Sequence, residues 1–364
     1  MTPGPGPHNS LTDVAGLSVG HHTVTGAGFL TGTTVVLGPD DGMVAGVDVR
    51  GGGPATHETD LLRPENAVER VHAIVLSGGS AFGLITCSGV QLGLAGRGIG
   101  LSVGPHPTAV VPLVPGAALF DLGRGGDWAS HPSLDFGTAA LDDALRNRDE
   151  PGPVAIGAVG AGTGAVIANL KGGIGSASQV LDTGVTVAAL VAVNATGSPL
   201  DPRTGELLAA RLLLPEDGAA PAVGAAAREA LLAATARRPI GIAFAGDDPA
   251  RLDGAAITHT TLAVVATDAT LTKAQCTKMA QVAQDGYARA VNPVHTPFDG
   301  DTIFGVATGT RPAPDAVELW EIVAAAADVV GRAIVRALLA ARSTRTDGGN
   351  WPSVLDVIAG NLPE

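Results

Sequence analysis

Residues 257–275, ITHTTLAVVATDATLTKAQ, hold the change of character that decides how this chain is read. Thr258, Thr260 and Thr261 stand directly before an apolar run, where strand entries ordinarily carry Gly, Pro, Asn or Asp. Residues 262–268 (LAVVATD) read as a buried strand. Thr272 with Gln275 then forms a capping-box pattern. Cys276, Met279, Ala280, Ala283 and Tyr287 follow at i, i+3, i+4, i+7 and i+11, which predicts a helix with one buried face. A turn-rich connection at 292–301, a strand at 302–309 and a long helix over 315–342 complete a β-α-β-α segment.

Upstream the same grammar holds. Residues 31–38, 42–50 and 71–79 read as short β-branched strands bounded by Gly or Asp-Gly turns. Residues 80–98 follow as a helix closed by Gly, and 152–178 and 185–197 supply further strands. Strands alternating with helices make this an α/β chain. Residues 1–15 read as a loosely ordered Gly/Pro lead-in. Residues 196–256 are rich in Ala, Pro and charge with broken periodicity, and read as a surface linker with one or two short helices.

Composition narrows the function. A net charge of -13 argues against nucleic acid or an anionic membrane surface as partner, since both need a basic footprint. With 45% apolar but only 3% aromatic residues, the core must be built from Ala, Val, Leu and Ile. The two cysteines, Cys87 and Cys276, have no disulfide framework or metal spacing, and Cys276 falls on the buried helical face. The N-terminus has neither a basic n-region nor an apolar h-region, and no apolar run reaches the ~20 residues of a spanning helix. A soluble, cytoplasmic protein is expected.

Several stretches could carry chemistry. Ser80 sits where a strand meets a helix, but a nucleophile elbow needs G-x-S-x-G, and Phe82 occupies the second Gly position. A turn at Gly78 and Gly79 with Ser80 as helix cap is the simpler reading. The Gly-rich run 158–173 could cradle an anion through its backbone N–H groups, but it fits neither a Walker loop nor a dinucleotide fingerprint. Lys171 within it is either a solvated strand end or a charge aimed into a site. His57, Glu58 and Asp60 lack a metal-binding spacing and read as a polar helix start with Thr56 or Thr59 as cap. No cofactor and no metal is expected.

A Thr at a strand entry usually reflects β-propensity, but three features favour chemistry at Thr260. A long linker ends before it, so a cut there leaves folded chain on both sides. Asp299 and Asp301 are two apart, so in an extended segment both carboxylates share one side. Asn194 ends an apolar strand, where its amide could serve as an oxyanion donor. These are the parts of an N-terminal-nucleophile enzyme. A Thr hydroxyl needs a base, and its own α-amine, with a reference pKa of roughly 7.7–8.0, can serve once the preceding bond is cut.

Residues 46–62 (GVDVRGGGPATHETDLL), 75–84, 117–126, 167–173 (IANLKGG), 193–197, 260–275 and 295–309 (HTPFDGDTIFGVATG) together resemble the L-aminopeptidase/D-esterase family. That family also includes β-aminopeptidases and the 6-aminohexanoate-oligomer (nylon oligomer) endohydrolase. The blocks keep the family's order from about residue 10 to 340. The resemblance implies a four-layer α-β-β-α sandwich of the N-terminal-nucleophile type, made as one precursor domain. It implies autocleavage into residues 1–259, which carry the linker, and residues 260–364. The pieces stay together and assemble as a homo-oligomer, a tetramer in the family, acting on a small peptide or amide. It also implies Thr260 as nucleophile, with Lys171 and Asn194 matching the family's site lysine and oxyanion asparagine. The pair Asp299 and Asp301 resembles the nylon-oligomer branch, where the aminopeptidase branch has a hydroxyl and a Glu. The residue before the cut, Asn or Gly in those branches, is His259 here. Thr261 is a second candidate nucleophile. Two alternatives stand beside this reading: an acyltransferase resembling ornithine acetyltransferase, and an unprocessed binding protein on the same fold.

Overall fold

The computed structural model describes residues 4–106, 108–236 and 259–361. Its two main sheets contain, in chain order, β1 (Ser18–Gly26), β2 (Phe29–Leu37), β3 (Met43–Val49), β4 (Ala55–His57), β5 (Arg70–Val71), β6 (Ala73–Ser77), β7 (Gly116–Ala118), β8 (Gly173–Val180), β9 (Thr186–Val193), β10 (Leu262–Ala269) and β11 (Thr302–Arg311). The first sheet runs β1-β2-β6-β7-β4, and the second β8-β9-β10-β11-β3-β5. Most neighbours are antiparallel; β6/β7 and β10/β11 are parallel. The main helices are α1 (Ile85–Ala95), α2 (Leu134–Asp149), α3 (Ala225–Thr235), α4 (Lys273–Ala290) and α5 (Ala316–Ala340).

Period-2 alternation sorts the strand residues into three cores. Val36, Ile74 and Leu76 of the first sheet meet Leu190, Leu262, Val264 and Phe304 of the second. Val35, Leu37 and Val75 point the other way, to Val90 and Leu94 of α1 and Ala140 and Leu141 of α2. Val191, Val265 and Ile303 face Met279, Ala283 and Tyr287 of α4 and Val330 and Ile334 of α5. The result is helix, sheet, sheet, helix. β10 is buried on both faces, which explains its unbroken apolar run. The small residues of the composition have a use here: a Cβ at Gly175 of β8 would come 1.9 Å from the carbonyl oxygen of Ala333 in α5. The helix backbone rests directly on the strand.

The segment after Thr260 folds as the sequence predicts. Thr272 caps α4 through Gln275, and Cys276, Met279, Ala280, Ala283 and Tyr287 are all fully buried. Upstream there are corrections. Residues 71–79 are not one strand: Val71 pairs with β3 in the second sheet, whereas Ala73–Ser77 lies in the first, so the chain crosses between sheets at His72. The lead-in is not loose from residue 4 onward. Leu11 and Val14 are fully buried, and the Gly6 and Leu11 amides donate to the Ser178 and Ser176 hydroxyls. Neither β1 nor α2 is anticipated from the sequence.

Of the predicted linker, residues 196–236 are described and carry two short 3-10 turns and α3. Leu200, Leu207, Ala209 and Leu231 of this part reach the helix-side core. The remainder, 237–256, lies outside the described residues. Among the described residues no helix is long and apolar enough to cross a membrane.

Candidate active site

Sheet order brings the candidate residues to one end of the second sheet. β9 runs antiparallel to β10, pairing Ala192 with Leu262, and β10 runs parallel to β11, pairing Leu262 with Thr302. Asn194, just past β9, Thr260, just before β10, and Asp301, just before β11, therefore come to one edge. Sequence separations of tens of residues disappear in this register. Asn194, Thr260, Asp299 and Asp301 are each at most 3% exposed.

Thr260 is held at both polar atoms. Its amide donates to the Asn194 main-chain oxygen at 2.6 Å, and its hydroxyl donates to the His259 carbonyl oxygen at 2.6 Å. The same carbonyl accepts the Gly300 amide at 3.2 Å. Gly300 cannot readily be another residue, because a Cβ there would stand 2.5 Å from the Thr260 hydroxyl oxygen. His259 is buried, and burial, with Arg124 as a second cause, pushes its imidazole down to about 3. It is neutral at ordinary pH.

The two carboxylates flank this unit rather than touch Thr260. Asp301 accepts the Thr261 amide on one oxygen at 2.8 Å and the His295 amide and Nδ1 on the other. Asp299 accepts the Thr196 amide on one oxygen and the Thr296 amide and hydroxyl on the other, while its backbone bridges His259. Asp299 thus closes the turn at 296–299 and is also buried at the site. Thr261 departs from Thr260 in direction: alternation puts it on the side of Ala263 and Val265, toward the helices, and its buried hydroxyl has no hydrogen-bond partner.

Asn194 uses its side chain for anchoring. Its Oδ1 accepts Arg124 Nη1 at 2.5 Å and the Val166 amide at 2.9 Å, and Nδ2 donates one hydrogen to the Phe120 oxygen at 3.1 Å. Lys171 is fully buried, which excludes a solvated strand end. Its ammonium donates to the carbonyls of Gly162, Ala165 and Gly172, so all three hydrogens are engaged and none goes to Thr260. Burial, with Arg124 adding to it, pushes Lys171 down to about 7. Asp121, also buried, is pushed up to about 6, chiefly by desolvation.

Arg124, Asp121 and His295 carry no motif that marks them in the sequence. Arg124 and Asp121 lie in the DLGRGG run, whose only outward signal is two charges among glycines. The other sequence candidates take plainer roles. Ser80 is not a helix cap: Gly79 takes that position, and Ser80 adopts φ 51° with no capping bond from its side chain. Near His57 the expected Thr cap is absent, because Glu58 at φ 53° precedes the short turn. In the run 158–173, the amides of Gly160, Ala161 and Val166 already donate to Thr23, Thr34 and Asn194. They are not free to hold an anion.

The model of peptidase family S58 matches residues 9–351. The chain belongs to that family. An uncharacterized aminopeptidase of Mycobacterium leprae is 42% identical over 360 residues, covering 93% of this chain and 92% of that one. A solved Burkholderia sp. β-aminopeptidase superposes with a TM-score of 0.70 at 24% identity, covering 100% and 97% of the two chains. The L-aminopeptidase D-Ala-esterase/amidase of Ochrobactrum anthropi, described as a variant of the Ntn hydrolase fold, superposes at 0.67 with 20% identity and 100% and 97% coverage. The fold is therefore that of the Ntn-hydrolase aminopeptidases, and this S58 member is a hydrolase of peptide or amide bonds.

Proposed function

We propose that this S58 peptidase cuts itself between His259 and Thr260 and then uses Thr260 as an N-terminal nucleophile. The observation that carries the reading is the Thr260 hydroxyl lying 2.6 Å from the carbonyl oxygen of the bond to be broken. In the first step Oγ1 adds to the His259 carbonyl carbon, and its proton passes to the departing nitrogen. The oxyanion keeps the Gly300 amide as donor. The C–N bond breaks, leaving an ester on Oγ1 and a free amine at Thr260. Water hydrolyses the ester, releasing the His259 carboxyl.

The new α-amine stays beside Oγ1 and serves as its base in turnover. The Asn194 main-chain oxygen, already on that nitrogen, orients it, and Asp301 fixes the next residue. The second hydrogen of Asn194 Nδ2 is the group an incoming oxyanion would use. Lys171 contributes charge and loop order rather than a proton. The substrate class is a short peptide or amide, and no cofactor enters any step. A homo-oligomer is the expected assembly. Hydrolysis of a panel of amino-acyl p-nitroanilides and short α- and β-peptides by the processed protein tests the activity. Loss of hydrolysis in Thr260→Ala supports the nucleophile, and retained turnover there would refute it. Transfer of the acyl group to an added amine in preference to water would favour an acyltransferase instead.

A further inference from the structure

Asp301 is gripped from behind by a residue that the proposed reaction does not yet use. His295 stands at φ 55°, a left-handed conformation that a non-glycine residue keeps only where its surroundings over-determine it. Its main-chain N–H and Nδ1 both meet the same Asp301 oxygen, at 3.2 and 2.9 Å. An ionised carboxylate only accepts, so Nδ1 carries the proton. The other ring nitrogen, Nε2, is buried without a partner. The Tyr287 ring of α4 lies 6.1 Å from the imidazole, and its hydroxyl is likewise buried and unpartnered. Burial, then the charge of Asp301, raises that phenol well above its ordinary value, so it stays neutral.

We propose that His295 is a positioning residue for the Thr260 reaction. Its Nδ1–H fixes one Asp301 oxygen, so that the other holds the Thr261 amide and sets the backbone that presents Thr260. The strained backbone at His295 delivers amide and ring to one acceptor atom, and Tyr287 backs the ring from the helix layer. The proposal rests on the Thr260 reading above.

The test uses the full chain and three substitutions at His295. Asn places an N–H close to the position of Nδ1 and tolerates a left-handed φ. Gly removes the strain together with the donor, and Gln tolerates that φ poorly while carrying its amide nearer the place of Nε2. Self-cleavage is followed by intact mass from freshly synthesised chain, and kcat and KM are measured on amino-acyl p-nitroanilides. His295→Gly should slow self-cleavage and kcat by about 100-fold, the scale of a misplaced reacting group, with KM little changed. Added imidazole should restore much of that rate, His295→Asn should keep most of it, and His295→Gln should not. A Gly variant as fast as the parent overturns the proposal. So does a slow Gly variant that imidazole does not rescue together with an equally slow Asn variant, since the role is then structural only. If the Gly chain does not fold, the Asn and Gln rates decide, and equal rates overturn the proposal. Thr260→Ala is run alongside: activity there sinks the nucleophile, whereas an inactive Thr260→Ala beside an unaffected His295→Gly sinks only His295.

Discussion

At the scale of single residues, the work is divided among groups that each hold one or two atoms. Thr260→Ala should remain a single inactive chain, and Thr260→Ser should be cut with some activity, because Ser keeps the hydroxyl but lacks the methyl that stiffens χ1. Asp299→Asn and Asp301→Asn keep volume and remove charge. Each turns one acceptor atom into a donor, set against Thr196 or Thr296 at position 299 and against Thr261 or His295 at position 301. Turnover should fall by about 10²–10⁴-fold in either, with the fold retained, and the double variant should lose less than the two losses combined. Near-parental rates in both single variants would end the claim. Lys171 gives a pH signature. Its folded value of about 7 lies below the ordinary 10.5, so between these the unfolded chain binds more protons and stability rises with pH. Below pH 7 both states are protonated and its contribution is flat. Lys171→Met lacks that slope, so urea midpoints should show the parent gaining on the variant from about pH 6.5 to about pH 9. A constant gap would contradict a depressed Lys171.

At the scale of elements, the site is the meeting of three strand ends, and its tightest point is a glycine. Gly300→Ala would put a methyl 2.5 Å from the Thr260 hydroxyl oxygen while its own amide donates to the His259 carbonyl. The chain should fold yet process far more slowly, as intact mass over time would show; parental cleavage would contradict the precursor geometry. β10 and α4 were legible because Val264, Val265, Met279 and Tyr287 give a strong apolar period. α2 carries a proper buried face, Phe136, Ala140, Leu141 and Ala144, but Ala residues and Gly137 weaken its signal. β1 reads SVGHHTVTG, with polar residues where its edge is half-exposed, and so does not stand out. The crossing at His72 could not be read at all, since one continuous β-type run serves two sheets. Thr260, Asp299, Asp301 and Asn194 could be named from residue type and position. Arg124 and His295 could not, because they reach this cluster through a contact made across 70 residues of chain or from a left-handed backbone.

At the scale of the whole molecule, a cut at Thr260 would leave the second sheet intact. β8 and β9 come from before the cut and β10 and β11 from after it, and β11 pairs with β3 of the earlier part. A buried clamp joins the same two parts: Arg332 of α5 meets Asp217 at 2.8 Å, both sides at most 1% exposed, with Arg336 at 3.6 Å. Arg332→Met should leave processing intact and lower stability by about 3 kcal/mol, the low end for an unpaired buried charge, because Arg336 remains. An unchanged urea midpoint would argue against the clamp. Intact mass with N-terminal sequencing of the purified chain decides whether it is cut at Thr260. Two tightly associated pieces are expected, the smaller beginning Thr-Thr-Leu, and a single chain in Thr260→Ala. A parent that stays uncut but active, or a smaller piece that begins at Thr261, would contradict cleavage at Thr260.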